Sequence, residues 1–280
     1  MSSQNLVSVA WLQEHLHDPN LVIADCRFTL GNPGQGLSEY VNSHIPGAFY
    51  FDLQQDLSAA KDVHGGRHPL ASVETLEKLF AGAGIDETTT VVAYDAQDMA
   101  YAARLWWTLR YLGHQRVYVL DGGFAAWQAA GLPVTDEVPP QPTSRTFRAT
   151  PQPQMLVNLE DIRATKGTAA LLDSRAGERY RGEMETLDPK AGHIPGAKHF
   201  FYKENIQADG TLRSAEELQQ RFAPLAEKEE IIVYCGSGVT ACVNILALYE
   251  AGRTDAKLYV GSWSDYCSYD LPVATGDKDE

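Results

Sequence analysis

Glu230-Ile231-Ile232-Val233-Tyr234-Cys235-Gly236-Ser237-Gly238-Val239-Thr240 runs from a short apolar segment into a turn holding two glycines, and an apolar helical stretch follows from about Ala241 to Glu250. An unbroken apolar run of this length, rich in β-branched residues, reads as a strand buried on both faces. Strand, tight turn and helix in succession is the unit from which parallel sheets are built. The chain holds a second version of it: Thr90-Val91-Val92-Ala93-Tyr94-Asp95 is also an apolar run followed by an apolar helical stretch.

Working outward from these two segments, the halves match element by element. Leu21-Val22-Ile23-Ala24-Asp25-Cys26-Arg27 corresponds to Ala170-Leu171-Leu172-Asp173-Ser174-Arg175, each an apolar run closed by Asp-x-Arg. His44-Ile45-Pro46-Gly47-Ala48 recurs as His193-Ile194-Pro195-Gly196-Ala197, a Pro-Gly turn read as a structural loop. Val117-Tyr118-Val119-Leu120-Asp121-Gly122-Gly123 matches Lys257-Leu258-Tyr259-Val260-Gly261-Ser262, and Leu132-Pro133-Val134 matches Leu271-Pro272-Val273. The expected fold class is α/β: two tandem domains, each a mostly parallel sheet flanked by helices on both faces.

The boundaries read as a first domain over 1–138, a proline-rich, semi-extended linker over 139–154, and a second domain over 155–280. A chain of 280 residues suits two cores of ordinary size. The halves differ at one informative place: the second has Cys235 where the first has Asp95. One working site is therefore expected, in the second domain, with the first as a non-catalytic copy.

A formal charge of −14 argues against nucleic acid as a partner, because phosphates demand basic surface. No apolar run approaches the roughly 20 residues of a membrane helix, so no membrane association is expected. Four scattered cysteines without a CxxC pair are expected to be reduced thiols. With no secretory signal at Met1-Ser2-Ser3-Gln4, the expected location is the cytoplasm.

Two glycines in six residues let the backbone of Cys235–Thr240 curl so that successive N–H groups point inward, and the following helix adds the positive end of its dipole. Such a cradle favours a thiolate over a thiol, and Cys235 reads as a poised nucleophile needing neither metal nor cofactor. The competing reading is a buried structural cysteine beside a glycine turn. Cys26, Cys242 and Cys267 carry no such surroundings and read as structural.

On the paired His-Ile-Pro-Gly-Ala segments, Asp121-Gly122-Gly123 and the Cys235 loop, the chain resembles the two-domain rhodanese-like sulfurtransferases over essentially its full length. Within them, the neutral loop Cys235-Gly-Ser-Gly-Val-Thr240 is similar to the 3-mercaptopyruvate sulfurtransferase type, whereas thiosulfate-using rhodaneses often carry basic residues after the cysteine. The resemblance implies sulfur transfer through a Cys235 persulfide to a thiol such as thioredoxin, or to cyanide, with release of pyruvate. It also implies Arg179, in Glu178-Arg179-Tyr180-Arg181, as the group that binds the donor's carboxylate, with Gly236, Gly238, Val239 and Thr240 lining the loop. Arg179 and Arg181 have an alternative reading as ion-pair partners of Glu178, Glu183 or Glu185.

The second carboxylate-binding arginine of the family's pattern is absent; the corresponding stretch, Met184 to Gly192, offers only Lys190, so Arg181 and Lys190 are the candidates to replace it. Ser237 matches the serine of a family relay and His68, in Gly66-Arg67-His68-Pro69-Leu70, its histidine. The relay's acid falls on Gln54, between Asp52 and Asp56.

Cysteine phosphatases and arsenate reductases also hold a cysteine in an anion-binding loop, but they need an arginine where this chain has Ala241. A thiosulfate sulfurtransferase working by the same persulfide, and a non-enzymatic persulfide carrier, are the remaining alternatives. Two fused domains are consistent with a monomer.

Overall fold

The computed structural model describes residues 5–165 and 169–277. By contact the chain divides into a first unit of Met1–Ala59, Ala71–Gln152 and Ile206–Leu212 and a second of Ala60–Leu70, Pro153–Asn205 and Arg213–Glu280.

The first unit is built on strands β1 (Leu6–Val7), β2 (Leu21–Asp25), β3 (Ala48–Tyr50), β4 (Thr90–Tyr94) and β5 (Val117–Leu120), all paired in parallel in the order β1-β5-β4-β2-β3. The second carries β6 (Leu156–Val157), β7 (Ala170–Asp173), β8 (Lys198–His199), β9 (Ile231–Tyr234) and β10 (Lys257–Tyr259) in the order β6-β10-β9-β7-β8, again all parallel. The two orders are the same when counted from each unit's first strand. The strands that lead to Asp95 and Cys235, β4 and β9, are therefore the central ones of their sheets. The apolar runs bury on both faces as a helix-covered parallel sheet requires: every residue of β9 is buried.

The helices of the first unit are α1 (Val9–His15), α2 (Gln35–Asn42), α3 (Val73–Gly82), α4 (Ala100–Tyr111) and α5 (Gly123–Ala129). Those of the second are α6 (Leu159–Ala164), α7 (Gly177–Tyr180), α8 (Ala215–Phe222), α9 (Ala241–Glu250) and α10 (Ser262–Tyr266). Their starts are written in the sequence. Ser8 and Ser72 cap α1 and α3, while Asn158 with Asp161 and Ser214 with Glu217 form reciprocal capping boxes at α6 and α8. In α9 every residue from Ala241 to Leu248 is buried, as expected of a helix apolar around its whole circumference.

The repeated motifs become repeated buried anchors. Arg27 donates from Nε and Nη2 to the carboxylate of Asp25, and Arg175 does the same to Asp173, each with a closest approach of 2.6 Å. Each arginine also reaches one backbone carbonyl, that of Ser43 or Gly192. In the Pro-Gly segments, His44 Nδ1 lies 2.6 Å from the Tyr40 carbonyl and His193 Nδ1 2.8 Å from that of Tyr180. The histidines thus hold a loop against the preceding helix.

Three stretches pack differently from their place in the sequence. Residues 60–70, read with the first domain, belong to the second unit because their backbone is satisfied there: the Gly65 N–H donates to Asp265 Oδ1 (2.7 Å) and the Arg67 N–H to Ser264 Oγ (3.0 Å). Residues 206–212 belong to the first unit, where the Leu212 N–H donates to Asp121 Oδ1 (2.8 Å). Most of the 139–154 stretch, read as a linker, also packs on the first unit. There the N–H groups of Arg145, Thr150 and Gln152 donate to the carbonyls of Ala81, Leu112 and Tyr111, and Phe147 sits 5.3 Å from Phe80. Proline removes donors from this segment without preventing its remaining donors from pairing.

Candidate active site

Cys235 is the first residue beyond β9, at the carboxyl end of the central strand of the second unit, where open parallel sheets hold ligands. Its backbone is fixed on both sides: its N–H donates to Ser262 Oγ (3.1 Å), and its carbonyl accepts from the Trp263 N–H (3.0 Å). Ser262 itself takes a left-handed conformation, φ 55°, that a non-glycine residue adopts only at a cost of about 1–3 kcal/mol. That cost is accepted where its hydroxyl can reach both Cys235 and the Tyr259 carbonyl.

The loop then curls over the sulfur. Gly238 adopts φ 71°, which only glycine tolerates freely, and the turn delivers the chain into α9. Burial by itself raises the Cys235 pKa, but the Thr240 hydroxyl and the backbone N–H groups of Ser237, Ala241 and Val239 outweigh it, so the thiol lies below its ordinary value. Only 2% of Cys235 is exposed, so this thiolate is shielded and directed by amide dipoles instead of water. Two other thiols behave oppositely: burial pushes Cys26 well up and Cys267 up to about 11, and all four cysteines are free and buried.

Ser237 Oγ lies 2.8 Å from His68 Nδ1, and both residues are buried. His68 arrives on the 60–70 segment. That segment is clamped near the start of α10, where a side chain on Gly66 (φ 85°) would strike the Gly261 carbonyl at 2.5 Å. Within their own turn of the first unit, Asp52 Oδ1 accepts from the Gln54 and Gln55 N–H groups, and Asp56 Oδ2 from the Asp52 N–H.

A cluster of arginines and acids borders the loop. Arg179 donates from Nε (3.0 Å) and Nη2 (2.8 Å) to Glu185, and from Nη2 to Asp188 (3.1 Å). Glu185 also accepts from the Leu187 and Asp188 N–H groups. Burial raises the pKa of its carboxyl, but the Arg179 guanidinium, the Leu187 N–H and the nearby Arg175 outweigh it and hold the pKa below the ordinary value. On the other side Asp188 pairs with Arg67. A Cβ placed on Gly236 would lie 2.8 Å from Arg67 Nη2 and 3.2 Å from Arg179 Nη1, so two guanidinium groups converge beside Cys235. The side chains of the loop itself are neutral, as the sequence reads, but the surroundings are not.

Arg181 and Lys190 are directed elsewhere. Arg181 makes an exposed pair with Glu183, one of the partners its ion-pair reading names, and Lys190 Nζ donates to the Tyr269 carbonyl (2.7 Å). Arg67, Asp188 and Ser262 are the members of this neighbourhood that sequence reading passed over, while Glu185 is the partner that the ion-pair reading of Arg179 names. The one signal for Arg67 was its position next to His68.

In the first unit the corresponding loop is filled by the Asp95 side chain, whose pKa burial and the neighbouring Asp98 push up to about 7. Asp95 Oδ1 accepts from the Met99 N–H, and Oδ2 from those of Tyr101 and Ala102. The same curl of backbone donors thus surrounds a carboxyl group that is no nucleophile toward sulfur.

Comparison with known proteins agrees with this architecture. The family model described as Rhodanese-like domain matches residues 8–130 and again 157–269. The chain is 43% identical over 286 residues to a Pseudomonas aeruginosa protein named as a probable 3-mercaptopyruvate sulfurtransferase, covering 99% of this chain and 100% of that one. It is 34% identical over 284 residues to the Escherichia coli 3-mercaptopyruvate sulfurtransferase, covering 98% and 99%. Among solved structures, the 3-mercaptopyruvate sulfurtransferase from Leishmania major superposes with a TM-score of 0.84 at 29% identity, over 95% of this chain and 75% of that one.

Proposed function

The chain belongs to the rhodanese-like family, and from that premise we propose that it is a sulfurtransferase that takes sulfur from 3-mercaptopyruvate as a persulfide on Cys235 and passes it to a thiol. The observation that carries this reading is the buried Cys235 sulfur, held below its ordinary pKa by the Thr240 hydroxyl and three backbone N–H groups.

The chemistry follows from that cradle. The thiolate attacks the donor's sulfur and forms a sulfur–sulfur bond while the donor's carbon–sulfur bond breaks. The electron pair goes to carbon as the enolate of pyruvate, which takes up a proton. The extra sulfur stays on the enzyme as a persulfide, whose anion the same N–H groups stabilise. A thiolate acceptor then attacks the outer sulfur, and the Cys235 thiolate leaves unchanged. Cyanide serves as a surrogate acceptor, and a protein thiol such as thioredoxin fits the same step. Ser237 and His68, in hydrogen-bond contact, are suited to supply the proton the enolate needs.

Charge supports a monoanionic donor. Arg67, Arg179 and Arg175 face Glu185, Asp188 and Asp173, three cations against three anions, so the cluster carries no surplus positive charge and a monoanion adds less excess charge to it than a dianion does. Thiosulfate is the second reading, favoured by the approach of both guanidinium groups to Gly236. The four free cysteines support a reducing compartment, the cytoplasm, as the place of the reaction. No helix of the described residues is long and apolar enough to cross a membrane.

The test is kcat/KM for 3-mercaptopyruvate and for thiosulfate, with repeated pyruvate or sulfite release distinguishing an enzyme from a carrier that loads once. The reading requires 3-mercaptopyruvate to win and Arg179→Ala to lower its value; thiosulfate winning would transfer the assignment to the second reading.

A further inference from the structure

Gly236, next to the nucleophile, is approached by two guanidinium nitrogens, and only one belongs to the arginine that the family pattern supplies. The second is Nη2 of Arg67. We infer that Arg67 is a donor-binding residue, its Nη2 and Arg179 Nη1 forming the two arms of a clamp for the donor's carboxylate. The inference rests on the sulfurtransferase reading given above.

Three observations carry it. First, the two arginines are held alike: each spends one edge of its fork on Asp188, and Arg179 adds Glu185, leaving Arg67 Nη2 and Arg179 Nη1 on the side of Gly236. Among the described residues neither of these nitrogens makes a hydrogen bond. Second, the Arg67 side chain is only 14% exposed and its Nε is buried without a partner, so a charged group is kept largely out of water with donors unmade. A buried donor left unpaired is costly, so a guanidinium kept in this state calls for acceptors from outside the chain, and Nη2 on the Gly236 side is the nitrogen placed to meet a donor's oxygen. Third, Arg67 is not placed by its side chain alone. Its N–H is fixed to Ser264 Oγ, and the preceding Gly66 fits against Gly261 where no side chain has room.

The carboxylate of a 2-oxo acid has two oxygens, and nitrogens on two separate forks can each take one. Asp188, 2% exposed, sets the spacing between the forks. The clamp supplies the second cation missing from the 184–192 stretch, from a segment of the chain more than a hundred residues earlier. Its acids also explain how two arginines can sit side by side before a donor arrives.

The experiment separates the two half-reactions. Loading of Cys235 by 3-mercaptopyruvate is followed by intact mass under single-turnover conditions, and discharge of the preloaded persulfide to 2-mercaptoethanol, a neutral thiol, is followed separately. Both are measured for the wild type, Arg67→Gln and Arg67→Lys, with thermal unfolding of each. Arg67→Gln is expected to raise the half-saturating donor concentration about 10- to 100-fold, the value of a charge-assisted hydrogen bond, with discharge unchanged. Arg67→Lys is expected to recover part of that loss, since it keeps the charge without the fork. Unaltered loading in Arg67→Gln overturns the inference, and so does an equal loss of loading and discharge. Should Arg67→Gln fail to fold, wild-type loading by Arg67→Lys overturns it. The parent reading fails separately, and takes the clamp with it, if wild-type Cys235 is loaded by neither 3-mercaptopyruvate nor thiosulfate; if thiosulfate alone loads it, sulfur transfer stands and the carboxylate clamp is overturned.

Discussion

Ser237 Oγ and His68 Nδ1 are 2.8 Å apart, although 169 residues separate them in the chain. The pair is buried, and Ser237 also gives a backbone N–H to the Cys235 sulfur. Its proposed task is to deliver a proton to the departing enolate, a task that exists for one donor and not the other, because sulfite leaves thiosulfate without needing a proton. Ser237→Ala and His68→Gln are therefore expected to slow turnover of 3-mercaptopyruvate by about 100-fold or more while affecting thiosulfate much less. Parallel kcat measurements with both donors check this; equal losses would leave the pair a packing role only.

A second expectation concerns pH. Because Cys235 lies below its ordinary value, alkylation by iodoacetamide should rise with pH to a plateau whose midpoint falls below that of the same thiol in the unfolded chain. The sign for stability follows: a depressed folded-state pKa adds stability that is fully present above the unfolded pKa and is lost as pH falls through the folded one. Cys235→Ser should lack that dependence. A midpoint at or above that of the unfolded chain would contradict the cradle.

Gly236→Ala should affect binding more than folding. The added methyl meets Arg67 Nη2 at 2.8 Å and Arg179 Nη1 at 3.2 Å, the movable ends of two long side chains. A raised KM for 3-mercaptopyruvate with an unchanged melting temperature is expected; a large loss of melting temperature would show that the glycine is needed by the backbone instead.

The buried anchors give a stability prediction. Asp173→Asn leaves Arg175, which has a side-chain exposure of 1%, with Glu185 at 3.5 Å as its remaining acidic partner, and removing one member of a buried pair typically costs about 3–5 kcal/mol, less where a second acid remains. Urea unfolding should show a loss of up to that order, and Asp25→Asn should lose at least as much in the first unit, where Asp25 is the one salt-bridge partner of Arg27 among the described residues. A loss below about 1 kcal/mol in either would mean that the pair is not an anchor.

Most of the fold was legible because the chain states it twice. Asp25 and Arg27 recur as Asp173 and Arg175, His44 as His193, and each copy sharpens the reading of the other. Cys235 was legible because strand, glycine turn and helix are adjacent in sequence, and its cradle is made by local N–H groups. Arg67 was not legible because nothing local links it to Gly236; only the packing of residues 60–70 within the second unit brings them together. The loop's own side chains are neutral as read, and the charges beside them come from Arg67 and Arg179, which lie outside it. Arg181 and Lys190 lie near Arg179 in sequence, but pairing with Glu183 and the Tyr269 carbonyl takes them to other partners. The 139–154 segment looked like a linker by composition, yet its unblocked donors found carbonyls on the first unit.

The central claim is that sulfur passes through Cys235, and intact-mass measurement tests it most directly. Wild-type protein quenched rapidly after mixing with 3-mercaptopyruvate should gain one sulfur atom, lose it on addition of a thiol, and be protected from alkylation at Cys235 in between. Cys235→Ser, with the fold retained, should gain none and release no pyruvate. A reversible sulfur adduct on Cys235→Ser, or steady turnover by wild-type protein that never carries one, would contradict the account.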